Sequence, residues 1–529
     1  MAIRETIVRA PAAVAAVALG AWADPALDRE LWRLLVAAAA ILVLSVPAWP
    51  GLRRRLRPRL RAEILLFLAF AALAQSAALD LWRFVTTPEV RVWNLYHYYL
   101  GAKYFDQLGY HDLYDATLAA DREGGDYWRE IDRVRNLRSY DKEPRIVSEL
   151  RYRPEEHFSE ERWREFQRDV EALQTQLPPE RWDGIFVDRG YNPSPFWTVV
   201  GGVLTDLLPA THPLALKLLS SLDLFLFAAT FLFLGRVFGV RTAAVVLLFF
   251  ALTPVNDGRL VGGFLQYDWF CAVAAGVAFL RRGRPAVAGG LVAYAVLARI
   301  FPAVFLLSAA VPAAVVWVRR GELRRRTLVF FLAAGVAGGV GLGVGALTAR
   351  GPAAWEDFFG NLSHHSDEHV FGERRVGLRH FFTHDLTHFE LDESRAERRE
   401  LFERQESFYL AAAAVFLLLY LAGVRRRSLP DALLWGLIPL FILAVSSRYY
   451  WAYLALLPLL ARPGPPGRRR GRGTDVAQAA VYLGYALYAL RDVERYAAYS
   501  VFNLLLALFF LLFLGLHLLR DLQLRRRQV

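Results

Sequence analysis

A single cysteine, Cys271, serves all 529 residues, and it lies inside an apolar run. That excludes an intramolecular disulfide framework and a cysteine cluster for metal, and it leaves the redox compartment unassigned. No zinc-ligand motif such as H-E-x-x-H occurs, and no internal repeat relates the two halves of the chain. Long polar stretches are equally scarce: only residues 85–194 and about 349–407 interrupt the apolar sequence for any distance. Hydrophobic surface, by contrast, is abundant. Fifty-five per cent of the residues are apolar and the mean hydropathy is +0.26. Apolar runs of about 15 to 23 residues, close to the length that crosses a bilayer, alternate with arginine clusters, so the sequence predicts an all-α polytopic membrane protein.

The formal charge of +12 invites comparison with nucleic-acid-binding proteins, but the arginines stand in short runs beside apolar segments rather than on a soluble domain, so nucleic acid is not expected as a partner. Membrane orientation accounts for them: six clusters, at 53–61, 281–284, 319–326, 425–427, 462–472 and 525–527, mark the cytoplasmic side. Spans placed near 31–50, 62–84, 213–235, 241–255, 264–280, 286–298, 302–318, 327–347, 408–424, 429–446, 449–461, 475–490 and 498–519 put every cluster inside, for about 13 to 14 crossings. Residues 7–23 read as a retained helix rather than a secretory signal, which makes 1–61 an N-terminal membrane hairpin. Residues 196–209 are too short for a crossing and read as a re-entrant or juxtamembrane helix.

The same ruler puts both polar segments outside. Segment 85–194 carries 22 acidic and 16 basic side chains, a net of −6 that leaves +18 on the remainder, as expected if the basic residues face inward. Within it, "SEERWREFQRDVEALQTQL" opens with a capping-box pattern and reads as one amphipathic helix of a soluble cap. Core spans occupy 196–348, a second extracytoplasmic loop 349–407, and C-terminal spans 408–529. Both outer loops should contain short helices.

Candidate site residues collect on this outer face. Arg299 is the one full charge in the apolar stretch 289–318, and "RIFP" divides that stretch into two helices, because Pro302 cannot supply the backbone donor of a continuous helix. A guanidinium there either snorkels to lipid phosphate or binds the phosphate of a lipid-linked substrate. Asp257, Arg259, Gln266, Tyr267 and Asp268 fall in the next outer turn, where Asp268 reads equally as a helix cap and as a site acid. Between 93 and 105, aromatics including Tyr98 alternate with Asn94, His97 and Lys103, a pattern that suits a membrane-interface anchor or a saccharide site. Asn94, His97 and Gly101 are spaced i, i+3, i+7 and should share a helix face, with Gly101 allowing close packing. Pro193 and Pro195 hold Asp188 and Asn192 near the outer surface. In the second loop, His380, His384 and His388 are spaced for one helix face, near His364, His365, Asp367 and His369. Solvated histidines explain that group as well as metal does: no metal ligand and no cofactor is assigned, and a divalent metal stays open. Arg448 adds an outer cation beside two tyrosines. Within the apolar spans, Lys217 should snorkel, whereas Asp223 lies deeper and requires a polar partner.

In their order along the chain, "NLYHYYLGAKYFDQLGYHDLY", "YNPSPFW", "GGFLQYDW" and "LARIFP" resemble motifs of integral-membrane glycosyltransferases of the GT-C fold, in the bacterial branch related to polyprenol-phosphate-mannose and polyprenol-phosphate-arabinose transferases. The likeness covers about residues 62–460. It implies a sugar donor linked to polyprenyl phosphate, a lipid, glycan or protein hydroxyl as acceptor, the lipid bilayer as setting, and an active site facing out of the bacterial cytoplasmic membrane. It also implies an acid in the first outer loop as general base and a basic residue at Arg299 for the carrier phosphate. Related sequences often place an aspartate just before the "YHYY"-like helix, where this chain has Asn94, so the base is sought among Asp188 and Glu89, then Asp268 and Asp80. Asn94, His97, Tyr98, Asn192, Gln266, His364, His365 and Arg448 complete the expected substrate-binding set. A transporter or lipid flippase for a phosphorylated lipid or glycan is the alternative class, which Arg299 and Asp223 would also suit; a non-catalytic membrane scaffold is a third.

Overall fold

The computed structural model describes residues 29–86, 90–254, 262–372, 375–383, 394–460, 472–491 and 495–526. Helix dominates, and among the described residues the strands form two short antiparallel ladders. Among the described residues, six helices are long and apolar enough to cross a membrane: Glu30–Ala48, Leu214–Phe238, Ala303–Arg320, Arg325–Gly345, Arg395–Val424 and Ala497–Gln523. Three shorter apolar helices, Val240–Leu252, Pro285–Ala298 and Leu429–Leu443, lie among them. Several segments counted as spans are therefore shorter or wound differently than a regular crossing. Residues 449–461 fall largely in a tight 3-10 helix, Arg448–Leu459, and 264–280 becomes helical only at Asp268.

The outward faces of the long helices identify their solvent. Leu218, Phe225 and Leu232, seven residues apart on one helix, are all exposed, as are Leu328, Leu332, Val336 and Val340 on another. Stripes of this kind in water would be an aggregation surface, whereas against acyl chains they are the expected exterior. The chain is an all-α membrane protein. Helix association in such a setting rests on close van der Waals packing. Helix Pro285–Ala298 lies against Arg325–Gly345 at Gly289, where a Cβ would come within 2.2 Å of the Phe330 carbonyl oxygen.

Residues 92–194 form a cap with an aromatic core. Tyr96, Tyr114, Trp128, Trp182 and Phe186 pack edge-on and tilted, with the Trp128 and Trp182 ring centroids 4.7 Å apart. The expected amphipathic helix is Glu160–Gln174, and Ser159 caps it by accepting from the Arg162 amide at 3.3 Å. It is riveted to the chain below by the buried ammonium of Lys103, 2.7 Å from Asp169, whose same oxygen accepts from Tyr104 at 2.7 Å. Most aromatics of 93–105 are consequently core: Tyr96, Tyr99, Tyr104 and Phe105 are buried, and only Trp93 is exposed. These four rings pack inside the protein, while Trp93 and Tyr98 keep exposed surface.

In the second polar segment, helix Ala353–His369 is followed by the ladder of β3 (Arg375–Val376) with β4 (Ser446–Ser447), β1 and β2 being Arg133–Arg135 and Lys142–Pro144 of the cap. Helix Leu378–Phe381 is only four residues long and ends in a turn, so His380 does not begin a continuous helix toward positions 384 and 388, which lie outside the described residues. Helix Arg395–Val424 opens with a Ser394/Glu397 capping box and carries its first thirteen, largely polar residues beyond the expected span. The reading of 7–23 falls outside the described residues.

Candidate functional site

The break foreseen at "RIFP" is present: helix Pro285–Ala298 ends at Arg299, whose extended backbone (φ −148°, ψ 130°) turns the chain before helix Ala303–Arg320 begins. The turn aims the guanidinium at the cap. Its Nη2 donates to the Tyr98 hydroxyl at 2.7 Å and its Nη1 to the Ala298 carbonyl at 3.1 Å. The group also lies 5.3 Å from the Tyr98 ring centre and 5.9 Å from that of Trp197, within cation–π range. Among the described residues no carboxylate comes within ion-pair distance of Arg299, although Asp268, Tyr449 and Tyr450 are within its electrostatic reach. Arg299 keeps only part of its surface exposed, so this is a positioned cation with no carboxylate at ion-pair distance among the described residues.

Tyr98 owes its direction to a wide π-helical turn, Tyr96–Leu100, between two short α-helical pieces, Val92–Leu95 and Gly101–Lys103. The extra residue in that turn rotates the downstream residues about the axis, so Asn94, His97 and Gly101 do not share a face. Asn94 accepts from the Phe264 amide at 2.6 Å. His97 faces the other way: Nδ1 donates to the Trp93 carbonyl at 2.7 Å, and Nε2 accepts at 2.7 Å from Tyr114, which itself accepts from the Gly190 amide at 3.1 Å. This chain of donors fixes a neutral imidazole, and burial lowers its pKa below 6.5 against the opposing pull of Asp188 and the Trp93 carbonyl. Gly101 seats the Tyr191 ring, where a Cβ would approach Cδ2 to 2.3 Å. Tyr98 meets Trp197 edge-on at 5.0 Å, and burial pushes its phenol up to about 12, with Arg299 pulling it back.

The acids divide by environment. Asp188 is partly exposed and accepts from Trp93 Nε1 at 2.6 Å, within electrostatic reach of Tyr98. Asp268 is buried at the first turn of helix Asp268–Arg281, one oxygen accepting from the Trp269 amide at 2.8 Å and the other from the Tyr294 hydroxyl at 2.7 Å. It is a helix-end anchor and also lies within electrostatic reach of Arg299. The partner that Asp223 required is the turn preceding that helix: its two oxygens accept from the Gln266 and Tyr267 amides at 2.7 and 3.0 Å. Lys217 donates to the Phe84 carbonyl and lies over that ring. Asp80 belongs to helix Pro58–Thr86, but its side chain, like Glu89, Asp257 and Arg259, lies outside the described residues.

Several expected substrate-binding residues are joints of the fold. Gln266 accepts from Arg91 at 3.1 Å, and Asn192 donates to the Arg189 and Gly190 carbonyls while accepting from Asn361 at 3.0 Å. His364 stacks on Tyr140 at 4.5 Å; the His365 side chain lies outside the described residues. Arg448 is buried and reaches the Tyr499 hydroxyl at 3.5 Å. Among the described residues no three His, Cys, Asp or Glu side chains converge as a metal site. The structure therefore gathers Arg299, Tyr98, Asp188 and Asp268 and adds Trp197, Tyr449 and Tyr450. Trp197 closes the "YNPSPFW" motif, and the tyrosines neighbour Arg448. No protein-family model, curated protein or solved structure matches the chain.

Proposed function

We propose that this chain is a membrane glycosyltransferase that takes a sugar from a polyprenyl-phosphate donor and passes it to a hydroxyl of a lipid, glycan or protein at the extracytoplasmic face of a bacterial cytoplasmic membrane. The observation that carries the reading is Arg299: a guanidinium at a helix break, held by the Tyr98 hydroxyl, flanked by Trp197 and without a carboxylate at ion-pair distance among the described residues. It suits the carrier phosphate, and its donors would meet the negative charge that grows on that group as it leaves. Asp188 is the base in this reading, since it is partly exposed on the cap side of Tyr98 whereas Asp268 is buried. The acceptor oxygen attacks the anomeric carbon and gives its proton to the Asp188 carboxylate. The anomeric C–O bond to phosphate breaks with its electron pair on the phosphate, and the sugar configuration inverts.

Asp223 spends both oxygens on backbone amides. That leaves the transporter alternative with Arg299 alone, so the transferase is the better supported reading. The test uses the purified chain in lipid nanodiscs with radiolabelled polyprenyl-phospho-mannose and polyprenyl-phospho-arabinose, measuring binding and transfer to membrane-extract acceptors. Saturable binding abolished by Arg299→Ala is expected. No binding of either carrier, with the variant indistinguishable from the parent, would overturn the reading.

A further inference from the structure

A second group of cations shares Tyr449 with Arg299 as an electrostatic neighbour. The β3–β4 register sets Arg375 opposite Ser447, and Arg375 Nη1 donates to Ser447 Oγ at 2.6 Å, which brings Arg448 alongside it. Asn503, on helix Arg495–Arg526, fixes this corner by donating to the Arg375 carbonyl at 3.1 Å and accepting from the Gly377 amide at 2.8 Å. From the cap side, Arg135 donates to the Val187 carbonyl at 2.8 Å, two residues before Arg189. Burial and the like charges of Arg189, Arg395 and Arg448 hold the Arg375 guanidinium down to about 10, and burial with Arg135 and Arg395 lowers that of Arg189. Arg189, Arg375, Arg395 and Arg448 are each also held by contacts within the chain. Gathering like charges in a partly buried corner is costly, and holding each one in place is what a preorganised anion site requires.

Tyr449 links this corner to the first site. It is within electrostatic reach of both Arg299 and Arg375, and its ring packs 4.5 Å from Tyr450, which in turn lies 4.6 Å from Phe301. One anion on Arg299 and a second on Arg375 would thus flank the same tyrosine.

We propose that Arg189, Arg375 and Arg448 form a second anion subsite, reached from Arg299 across Tyr449, that takes a phosphoryl group. The proposal rests on the carrier-phosphate reading of Arg299 and narrows its substrate: one participant carries a phosphate besides the one bonded to the anomeric carbon. Two sources share this chemistry, a polyprenyl diphosphate and an acceptor bearing its own phosphate. Arginine is suited to either, since its planar fork pairs with phosphate oxygens two at a time.

The experiment measures binding of polyprenyl monophosphate, polyprenyl diphosphate and inorganic phosphate to the full chain in nanodiscs, for the parent and for Arg299→Gln, Arg375→Gln and Arg189→Gln. The parent should hold the diphosphate about tenfold or more tighter than the monophosphate. Arg375→Gln and Arg189→Gln should abolish that preference while leaving monophosphate binding intact, and Arg299→Gln should weaken both lipids. No diphosphate preference, but inorganic phosphate bound alongside the monophosphate and lost in Arg189→Gln, supports the subsite and assigns it to an acceptor phosphate. Neither a preference nor phosphate binding sensitive to Arg375 or Arg189 overturns it, even where Arg299-dependent monophosphate binding stands. Arg189 is partly exposed, so its variant keeps the test decisive if Arg375→Gln does not fold.

Discussion

The Arg299 guanidinium and the Tyr98 hydroxyl meet at 2.7 Å across 201 residues of sequence, joining the helix break below to the cap above. Hydrogen bonds involving a charged group contribute about 1.5–3 kcal/mol, so Tyr98→Phe, which keeps the ring and removes the acceptor, should cost donor binding or turnover roughly 10- to 100-fold. Arg299→Ala should cost more, because the charge itself is lost. Isotope-transfer assays on both variants, with thermal unfolding as the folding control, check the order. A Tyr98→Phe protein as impaired as Arg299→Ala would mean the phenol acts on substrate directly rather than through the arginine.

Asp223 should be a structural residue. Asp223→Ala orphans two buried amides at the turn that feeds helix Asp268–Arg281, at about 1–3 kcal/mol each, and should lower the thermal unfolding midpoint in detergent clearly. Asp223→Asn keeps one carbonyl acceptor and should fall between the two. In a transporter that moves protons through this carboxyl, Asp223→Asn would unfold like the parent and yet lose proton-coupled uptake in proteoliposomes. Measuring both quantities on that variant separates the roles.

Much of the helical scaffold was legible because its causes are local: a proline just past the end of helix Pro285–Ala298, a serine before helix Glu160–Gln174, apolar stripes at helical spacing. The roles of the polar site residues were not, because their partners are remote. Asn94 meets Phe264 at a separation of 170 residues and Asn192 meets Asn361 at 169. Side chains chosen for hydrogen-bonding capacity look the same in sequence whether they serve a ligand or the backbone of a distant turn. The π-helical turn at Tyr96–Leu100 added a second obstacle. One extra residue per turn is invisible in composition, yet it separates His97 from Asn94 and directs Tyr98 to Arg299.

His97 makes stability depend on pH in a stated direction. Its imidazole is neutral in the fold, with a pKa held below 6.5 by burial, so the unfolded chain takes up the proton first as pH falls. The contribution is complete above about 6.5 and is lost as pH drops from there to the folded-state pKa, at up to about 1.4 kcal/mol per pH unit. His97→Gln can keep a donor for the Trp93 carbonyl and an acceptor for Tyr114 without titrating. The difference in unfolding midpoint between parent and variant should therefore shift in the variant's favour between pH 7.5 and 5. His111, also held low by burial, acts equally in both proteins and cancels.

Gly101→Ala tests a contact inside the cap, between its first helical turns and the segment by which the chain leaves it. The added methyl would sit 2.3 Å from Tyr191 Cδ2, and Tyr191 cannot retreat freely because its hydroxyl bonds Thr198 at 2.8 Å and its ring stacks on Tyr110. Overpacking of this kind costs about 1–3 kcal/mol. Truncating the ring as well, in Gly101→Ala/Tyr191→Leu, should recover part of the loss relative to the sum of the single variants, which unfolding of all four proteins measures.

Asp188 and Asp268 make the sharpest comparison, since both lie within electrostatic reach of Tyr98 and only one is open. Asp188→Asn preserves an acceptor for Trp93 Nε1, so the cap should stay folded while the acceptor hydroxyl loses its base. Turnover should fall about 10²- to 10⁴-fold with donor binding unchanged. Asp268→Asn leaves the open carboxylate in place and removes a buried acid within electrostatic reach of Arg299. Donor phosphate should then bind at least as tightly as in the parent, and any loss of turnover should follow loss of stability. Single-turnover kinetics under saturating donor distinguish the two: if Asp268→Asn abolishes transfer in a stably folded protein and Asp188→Asn does not, the base is the buried acid, reached only when the substrate parts Tyr98 from Arg299.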